Sequence, residues 1–225
     1  MRSPVRNLAT ILFLLVPTVH AATDAPQYGG GDAWSYQELN GFNGIVRGTF
    51  TQTVAGVASG EIRVDARSSD GKFTDTRTFT APGLLADGML NDRASGRLEP
   101  ALQLLPFPLE EGSRWRQSVK RIDPMNGQRR DVTIYGKVKG WENVKVPAGE
   151  FRALKIVREL YLGDHDAFRG QTRLTEHEWY VPELKHWVKL QNWEEYHEAG
   201  DSVAGSYYQG DKQVFELLSF RPGAR

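Results

Sequence analysis

Apolar and polar side chains alternate with a period of two along most of the chain, and the helical period is absent. Glu61-Ile62-Arg63-Val64-Asp65-Ala66-Arg67 alternates without a break, and Asp131 to Val138 does the same. Val46, Phe50 and Val54 share one face, opposite Arg47, Thr49, Thr51 and Thr53. Half-buried antiparallel strands give this pattern, because successive side chains point to opposite faces. Asp70-Gly71 and Asn126-Gly127 each separate two alternating runs and suit the positive φ of tight hairpin turns. Gly163-Asp164 and Ala199-Gly200-Asp201 mark two further reversals. The pattern predicts strands over 33–38, 44–55, 58–67, 72–80, 114–122, 129–141, 150–162, 171–181, 186–197 and 205–220. Hairpin-linked strands of this kind imply an all-β fold, a single curved antiparallel meander forming a barrel, half-barrel or sandwich.

Segment 81–112 breaks the pattern. It holds Pro82, Pro100, Pro106 and Pro108 among eight leucines. Proline is excluded from a central strand, and the leucines exclude a freely solvated linker. The expectation is a long apolar connection packed on the sheet, with a short helix at 99–105. Strand 150–162 is apolar on both faces, with Leu154, Ile156, Leu160 and Leu162 on one and Phe151, Ala153, Val157 and Tyr161 on the other. A strand of that kind is covered on both sides, so the sheet is expected to wrap around something.

The first residues read differently. Arg2 and Arg6 precede an apolar run from Leu8 to Val16, and Val19-His20-Ala21 is a small-residue cleavage site. Residues 1–21 are therefore expected to be a cleaved signal peptide, the apolar run being about half of the ~20 residues a spanning helix needs. No other segment reaches transmembrane length. The chain has no cysteine, which excludes disulfides, thiolate metal sites, a cysteine nucleophile and a lipoprotein anchor. The expected location is periplasmic or secreted, with 22–225 as one β domain.

Charge narrows the partners. The full chain balances 28 basic against 28 acidic residues, and removing 1–21 leaves 26 against 28. A near-neutral chain lacks the basic surface that nucleic acid demands.

Catalytic motifs are missing. HExxH, GxSxG and calcium loops do not occur, and Gly29-Gly30-Gly31 lacks the lysine and helix of a phosphate loop, reading instead as a flexible leader. His177 alternates away from Glu176 and Glu178 on its strand, and His165 falls in a loop. No catalytic residue, metal site or cofactor is implied.

Aromatics cluster instead: Trp179, Tyr180, Trp187, Trp193 and Tyr196 lie within eighteen residues. If Val188 and Leu190 face the core, Trp187 and Trp193 share the polar face with Lys189, Gln191, Glu195 and His197. Tryptophans beside charges stack on sugars, peptides or lipid edges; alternatively they pack beneath the leucine-rich connection. Trp187, Trp193, Tyr196 and Tyr180 are the ligand-binding candidates.

Two motifs carry a family resemblance. Val146-Pro147-Ala148-Gly149-Glu150-Phe151-Arg152-Ala153-Leu154-Lys155-Ile156 resembles a VPAGxFxALKI signature, and Trp179-Tyr180-Val181-Pro182, followed by Val188-Lys189, resembles WYxPxxxxxVK. Gly31-Asp32-Ala33-Trp34-Ser35-Tyr36 and Leu105 to Trp115 match the same group's opening strand and mid-chain element. Together, over about 30–220, they are similar to the TapB-like group of exported bacterial domains of unknown function. Trp187 and the charged 192–202 hairpin depart from its pattern. The resemblance implies an all-β envelope protein with a curved sheet and no established activity. Three functions fit: a binding module for an apolar or glycan ligand or partner segment, a structural accessory of an envelope complex, or a hydrolase assembled from histidines and carboxylates.

Overall fold

A computed structural model describes residues 22–91, 94–163, 169–198 and 207–223. The predicted signal peptide, the turn residue Asp164, His165 and the 199–201 turn lie outside the described residues. Twelve strands form one closed antiparallel barrel: β1 (Ala33–Asn40), β2 (Val46–Ala58), β3 (Glu61–Ser68), β4 (Thr74–Ala81), β5 (Leu84–Met89), β6 (Ser95–Gln103), β7 (Arg114–Ile122), β8 (Arg129–Val146), β9 (Gly149–Leu162), β10 (Arg169–Val181), β11 (His186–Glu198) and β12 (Tyr208–Arg221). Each strand pairs with the next, and β1 pairs with β12 from Ala33↔Arg221 to Asn40↔Gln213, closing the ring. Of the three architectures the alternation allowed, the barrel is the one that forms.

Local chemistry sets the turns. Gly71 and Gly127 take φ of 73° and 68° in the β3–β4 and β7–β8 turns, as their Asp-Gly and Asn-Gly dipeptides demand. Pro147-Ala148 makes the two-residue link from β8 to β9, with Val146 paired to Gly149.

Segment 81–112 departs from its expected form. It contributes β5 and β6 to the wall, and no helix forms over 99–105. Pro100 is accommodated because β5–β6 pairing jumps from Leu85↔Leu102 to Asp87↔Arg97. Residues 98–101 then oppose Ala86 alone, and a proline in such a bulge breaks no ladder bond. The β6–β7 seam is also short, pairing only Arg97–Glu99 with Lys120–Ile122. Beyond it the Gln117 amide replaces the missing ladder, accepting from Gln103 N at 2.7 Å and donating to Ala101 O at 3.0 Å.

The remainder of the segment is indeed a packed connection. Leu105, Phe107 and Leu109 lie against Val138, Leu154, Ile156 and Tyr180 on the inner wall. The residues before β1 join them, Thr23 bridging to Leu109. The glycine leader is not loose: Gly31 N donates to Val54 O at 2.8 Å, and Asp32, 1% exposed, clasps both ends of the chain. Its carboxylate accepts from Gly29 N, Gly223 N and Lys185 Nζ at 2.7–2.8 Å. Burial alone would raise its pKa, but Lys185 and the two backbone donors hold it below the usual carboxylate value.

Outward rows carry Arg63, Asp65 and Arg67 on β3, Arg114, Arg116 and Lys120 on β7, and Lys137 and Lys139 on β8. A lipid-facing barrel presents an apolar band there. Among the described residues no helix is long and apolar enough to cross a membrane.

Candidate functional site: the barrel interior

The inner rows do not fill the ring. Core side chains occupy the β6–β10 half, with Leu98, Leu102, Val132, Ile134, Leu160 and Leu174 packed together. Beside them lies a cavity of about 650 Å³ inside the barrel, within the range of about 300–1,000 Å³ of small-molecule sites. Its apolar lining includes Trp34, Phe50, Val64, Phe79, Leu85, Leu190 and Phe215.

Aromatic rings build its floor. The Trp34 indole donates to Leu184 O at 2.8 Å and stacks on Phe220 at 5.6 Å. His186 lies 4.6 Å from Trp34, and Tyr36 lies 3.9 Å from Trp187. The Tyr36 hydroxyl donates to Trp187 O at 2.9 Å, so it accepts from His186 Nδ1 at 3.0 Å. His186 is therefore the Nδ1–H tautomer, with Nε2 unprotonated, and the residue is part of the cavity lining. Burial pushes its pKa down to about 3, with Arg77 adding to the depression.

A charged cluster crosses the middle. Arg158, in the inner row of β9, donates from Nε to Glu176 at 2.8 Å, from Nη2 to Glu178 and from Nη1 to Leu104 O. Burial works against its charge, but Glu178 and Glu176 raise its pKa above the ordinary value. Burial lifts the Glu178 carboxyl despite Arg158. Tyr28, Tyr36 and Tyr180 surround this carboxyl, and burial raises all three phenols. Toward the opposite end, the lining becomes ionic, with Arg47 bonded to Asp211 at 2.7 and 2.8 Å and Arg77 to Asp75 at 3.1 Å.

The four candidate aromatics separate. Tyr180 faces inward, 1% exposed, edge-on to Phe107, its hydroxyl without a hydrogen-bond partner among the described residues. Trp187 also faces inward, which differs from the strict alternation. Trp179 pairs with Lys189 and Tyr180 with Trp187, so Val188 is an extra residue. The bulge turns Trp187 to the face opposite Lys189. Trp193 stays on the outer wall, edge-on to His177 at 4.9 Å. Tyr196 lies under the Arg169 guanidinium at 3.9 Å and stacks on Tyr208, away from the cavity lining.

Histidines do not converge. His177 is on the outer wall beside Trp193, His186 is inside, and His197 stacks against Tyr207 at 4.0 Å. Among the described residues no three His, Asp or Glu side chains gather as a metal-holding group.

No protein-family model matches the chain, and no curated protein matches it in sequence. Solved structures do resemble it. A candidate lipoprotein from Parabacteroides distasonis aligns over 90% of this chain and 100% of its own, at 15% identity and a TM-score of 0.52. A candidate exported protein with YmcC-like fold from Bacteroides fragilis aligns over 89% and 100%, at 13% identity and a TM-score of 0.45. The hypothetical lipoprotein YmcC from Escherichia coli aligns over 84% and 85%, at 10% identity and a TM-score of 0.41. At these identities the likeness is one of fold: the chain shares its barrel architecture with the Parabacteroides protein.

Proposed function

We propose that this protein is an exported, non-catalytic binding module whose barrel interior receives a small amphiphilic molecule. The observation that carries the reading is the cavity of about 650 Å³, walled by aromatics and aliphatics and studded with oriented polar groups. An amphiphile suits such a lining, because its chain removes apolar wall from water while its polar end meets fixed partners. The leader at 1–21 supports export, as do the descriptions of the similar structures as exported proteins or lipoproteins. The motifs resembling the TapB-like group fall at the β8–β9 turn and at the β10–β11 turn that forms the floor. The whole of 22–225 serves this one role.

Native mass spectrometry of the protein purified from the periplasm of an expressing bacterium tests the reading. The expected result is a bound species of a few hundred daltons, released on denaturation, together with saturable uptake of N-phenyl-1-naphthylamine by the emptied protein. A bare mass and no saturable dye uptake would refute it.

One observation favours a second role, as an accessory that docks an acidic protein partner on the outer wall. Arg114, Arg116, Lys137 and Lys139 surround a shallow concavity over Gly136 against a single carboxylate, Glu159, and none of the four is ion-paired among the described residues. Arg114 even stands directly across from Lys137, where like charges repel. A photo-crosslinking residue at Tyr135 would capture that partner in intact cells, and the Lys137→Glu change would abolish the capture. Crosslinking unaffected by the charge reversal would exclude the role.

A further inference from the structure

The cavity lining extends from the floor at Trp34 and His186 to the other end of the barrel. There Asp70, Lys72 and Phe73 of the β3–β4 turn line it while standing in solvent. The cavity therefore reaches the surface at this end. Arg47 and Gly48, just past the β1–β2 turn, line the same stretch.

The turns at this end hold apolar side chains in water. Phe42 and Ile45 of the β1–β2 turn are 55% and 65% exposed, Phe73 is exposed in the β3–β4 turn, and Met125 of the β7–β8 turn is almost wholly so. None of these turns is loose. Phe42 N donates to Asn40 Oδ1 at 2.9 Å, and Ile45 N to Asn43 Oδ1 at 3.0 Å. Phe73 N donates to Ser68 Oγ at 3.0 Å, and Met125 N to Asp123 Oδ1 at 2.8 Å. In each turn a polar side chain satisfies the backbone and an apolar one is left outside. Val46, Tyr207 and Tyr208 are exposed at the same end. Elsewhere among the described residues only Val57, at the floor end, and Tyr135, on the outer wall, expose a large apolar side chain.

Apolar side chains gathered at one end mark a contact surface. The β1–β2 and β7–β8 tips stand on opposite sides of the twelve-stranded ring, and the charged Asp70 and Lys72 interrupt the patch. A few separated tips fall well short of the roughly 20–30 residues a side that a stable protein interface takes. A flat, deformable apolar layer accepts each tip independently, and its attraction grows with the apolar area buried.

Building on the binding reading, we propose that this end of the barrel docks on a lipid bilayer. The β1–β2, β3–β4 and β7–β8 tips enter the bilayer surface, and the cavity opens onto the lipid. The charged outer rows of β3 and β7 keep the wall itself out of the hydrocarbon. An amphiphile can then pass between bilayer and cavity without exposing its chain to water, which is the costly part of such a transfer.

Flotation of the periplasm-purified protein with two vesicle types tests this: phosphatidylethanolamine with phosphatidylglycerol, and phosphatidylcholine alone. The wild type is expected to float with both, because the attraction is apolar. Phe42→Ser combined with Ile45→Ser should lower the partition coefficient at least about tenfold, whereas Val57→Ser should leave it unchanged. All variants should take up N-phenyl-1-naphthylamine as the wild type does, which checks fold and cavity together. No flotation of the wild type, or flotation indifferent to the Phe42 and Ile45 changes, would overturn the docking and leave the binding module standing. A dimer in light scattering that persists with vesicles and that the same changes dissolve would overturn it too, assigning the tips to a second copy. Flotation lost with the tips, but with no dye uptake by any form, would support the docking and remove the binding reading.

Discussion

Acidifying the protein from pH 7 to pH 5 should destabilise it through His186. The ring is held neutral in the fold, its pKa driven by burial to about 3, whereas an unfolded histidine titrates near 6.5. The unfolded chain therefore takes up a proton at pH 5 that the folded chain refuses. Stability from this group is complete above about pH 6.5 and is lost as the pH falls toward 3. At pH 5 the loss is about 1.5 pH units times ~1.36 kcal/mol, or about 2 kcal/mol. For a chain of this size that lowers Tm by roughly 4–8 °C. Glu178 acts in the opposite sense, because burial raises its folded pKa and the fold then binds the extra proton. The informative quantity is thus the difference between the wild type and His186→Asn, whose amide can still donate to Tyr36 but does not titrate. Melts followed by tryptophan fluorescence at both pH values should show the variant losing about 4–8 °C less than the wild type on acidification. An identical acid loss in both proteins would refute the neutral imidazole.

Three further changes probe the frame. Gly136→Ala would place a Cβ 2.1 Å from Cζ2 of Trp115, and overpacking of that kind costs about 1–3 kcal/mol, readable as a lower urea midpoint. Asp32→Ala removes the acceptor for Gly29, Gly223 and Lys185 and should cost about 3 kcal/mol, with Asp32→Asn falling between it and the wild type in the same assay. Arg158→Met strands two carboxylates inside the barrel and should cost about 3–5 kcal/mol. Adding Glu176→Gln and Glu178→Gln to Arg158→Met should recover much of that loss in thermal melts.

The strands that were legible in the sequence are those whose inner and outer rows differ in polarity. β3 and β8 alternate because one row meets the core and the other meets water. β5 and β6 were not legible, since Leu84-Leu85 breaks the alternation and Pro100 argues against any strand. Only the partner strand reveals that 98–101 bulge past Ala86. The inward turn of Trp187 is hidden for a related reason: the residue that shifts its face, Val188, is as strand-like as its neighbours. The interior site also leaves a mark in the sequence. Arg158 stands in the same row as Ile156 and Leu160, and Glu176 and Glu178 share a row with Leu174 and Tyr180. Charges inside apolar rows mark a polar interior. Gln52 gave the same sign between Phe50 and Val54.

The closure of the ring governs when the protein becomes whole. Eleven of its twelve strand pairings join neighbours in sequence, and the remaining one joins Ala33 to Arg221 across nearly the entire chain. Local hairpins form fast, whereas a contact of that span carries the largest loop-closure entropy. Until it forms, β1 and β12 are open edges able to pair with another chain. Asp32 sits at this junction and binds the backbone of Gly223, just past the last strand. A chain cut short after β11 would keep every hairpin through β10–β11 and lose the clasp, leaving an open sheet with two edges and a cavity with a missing wall.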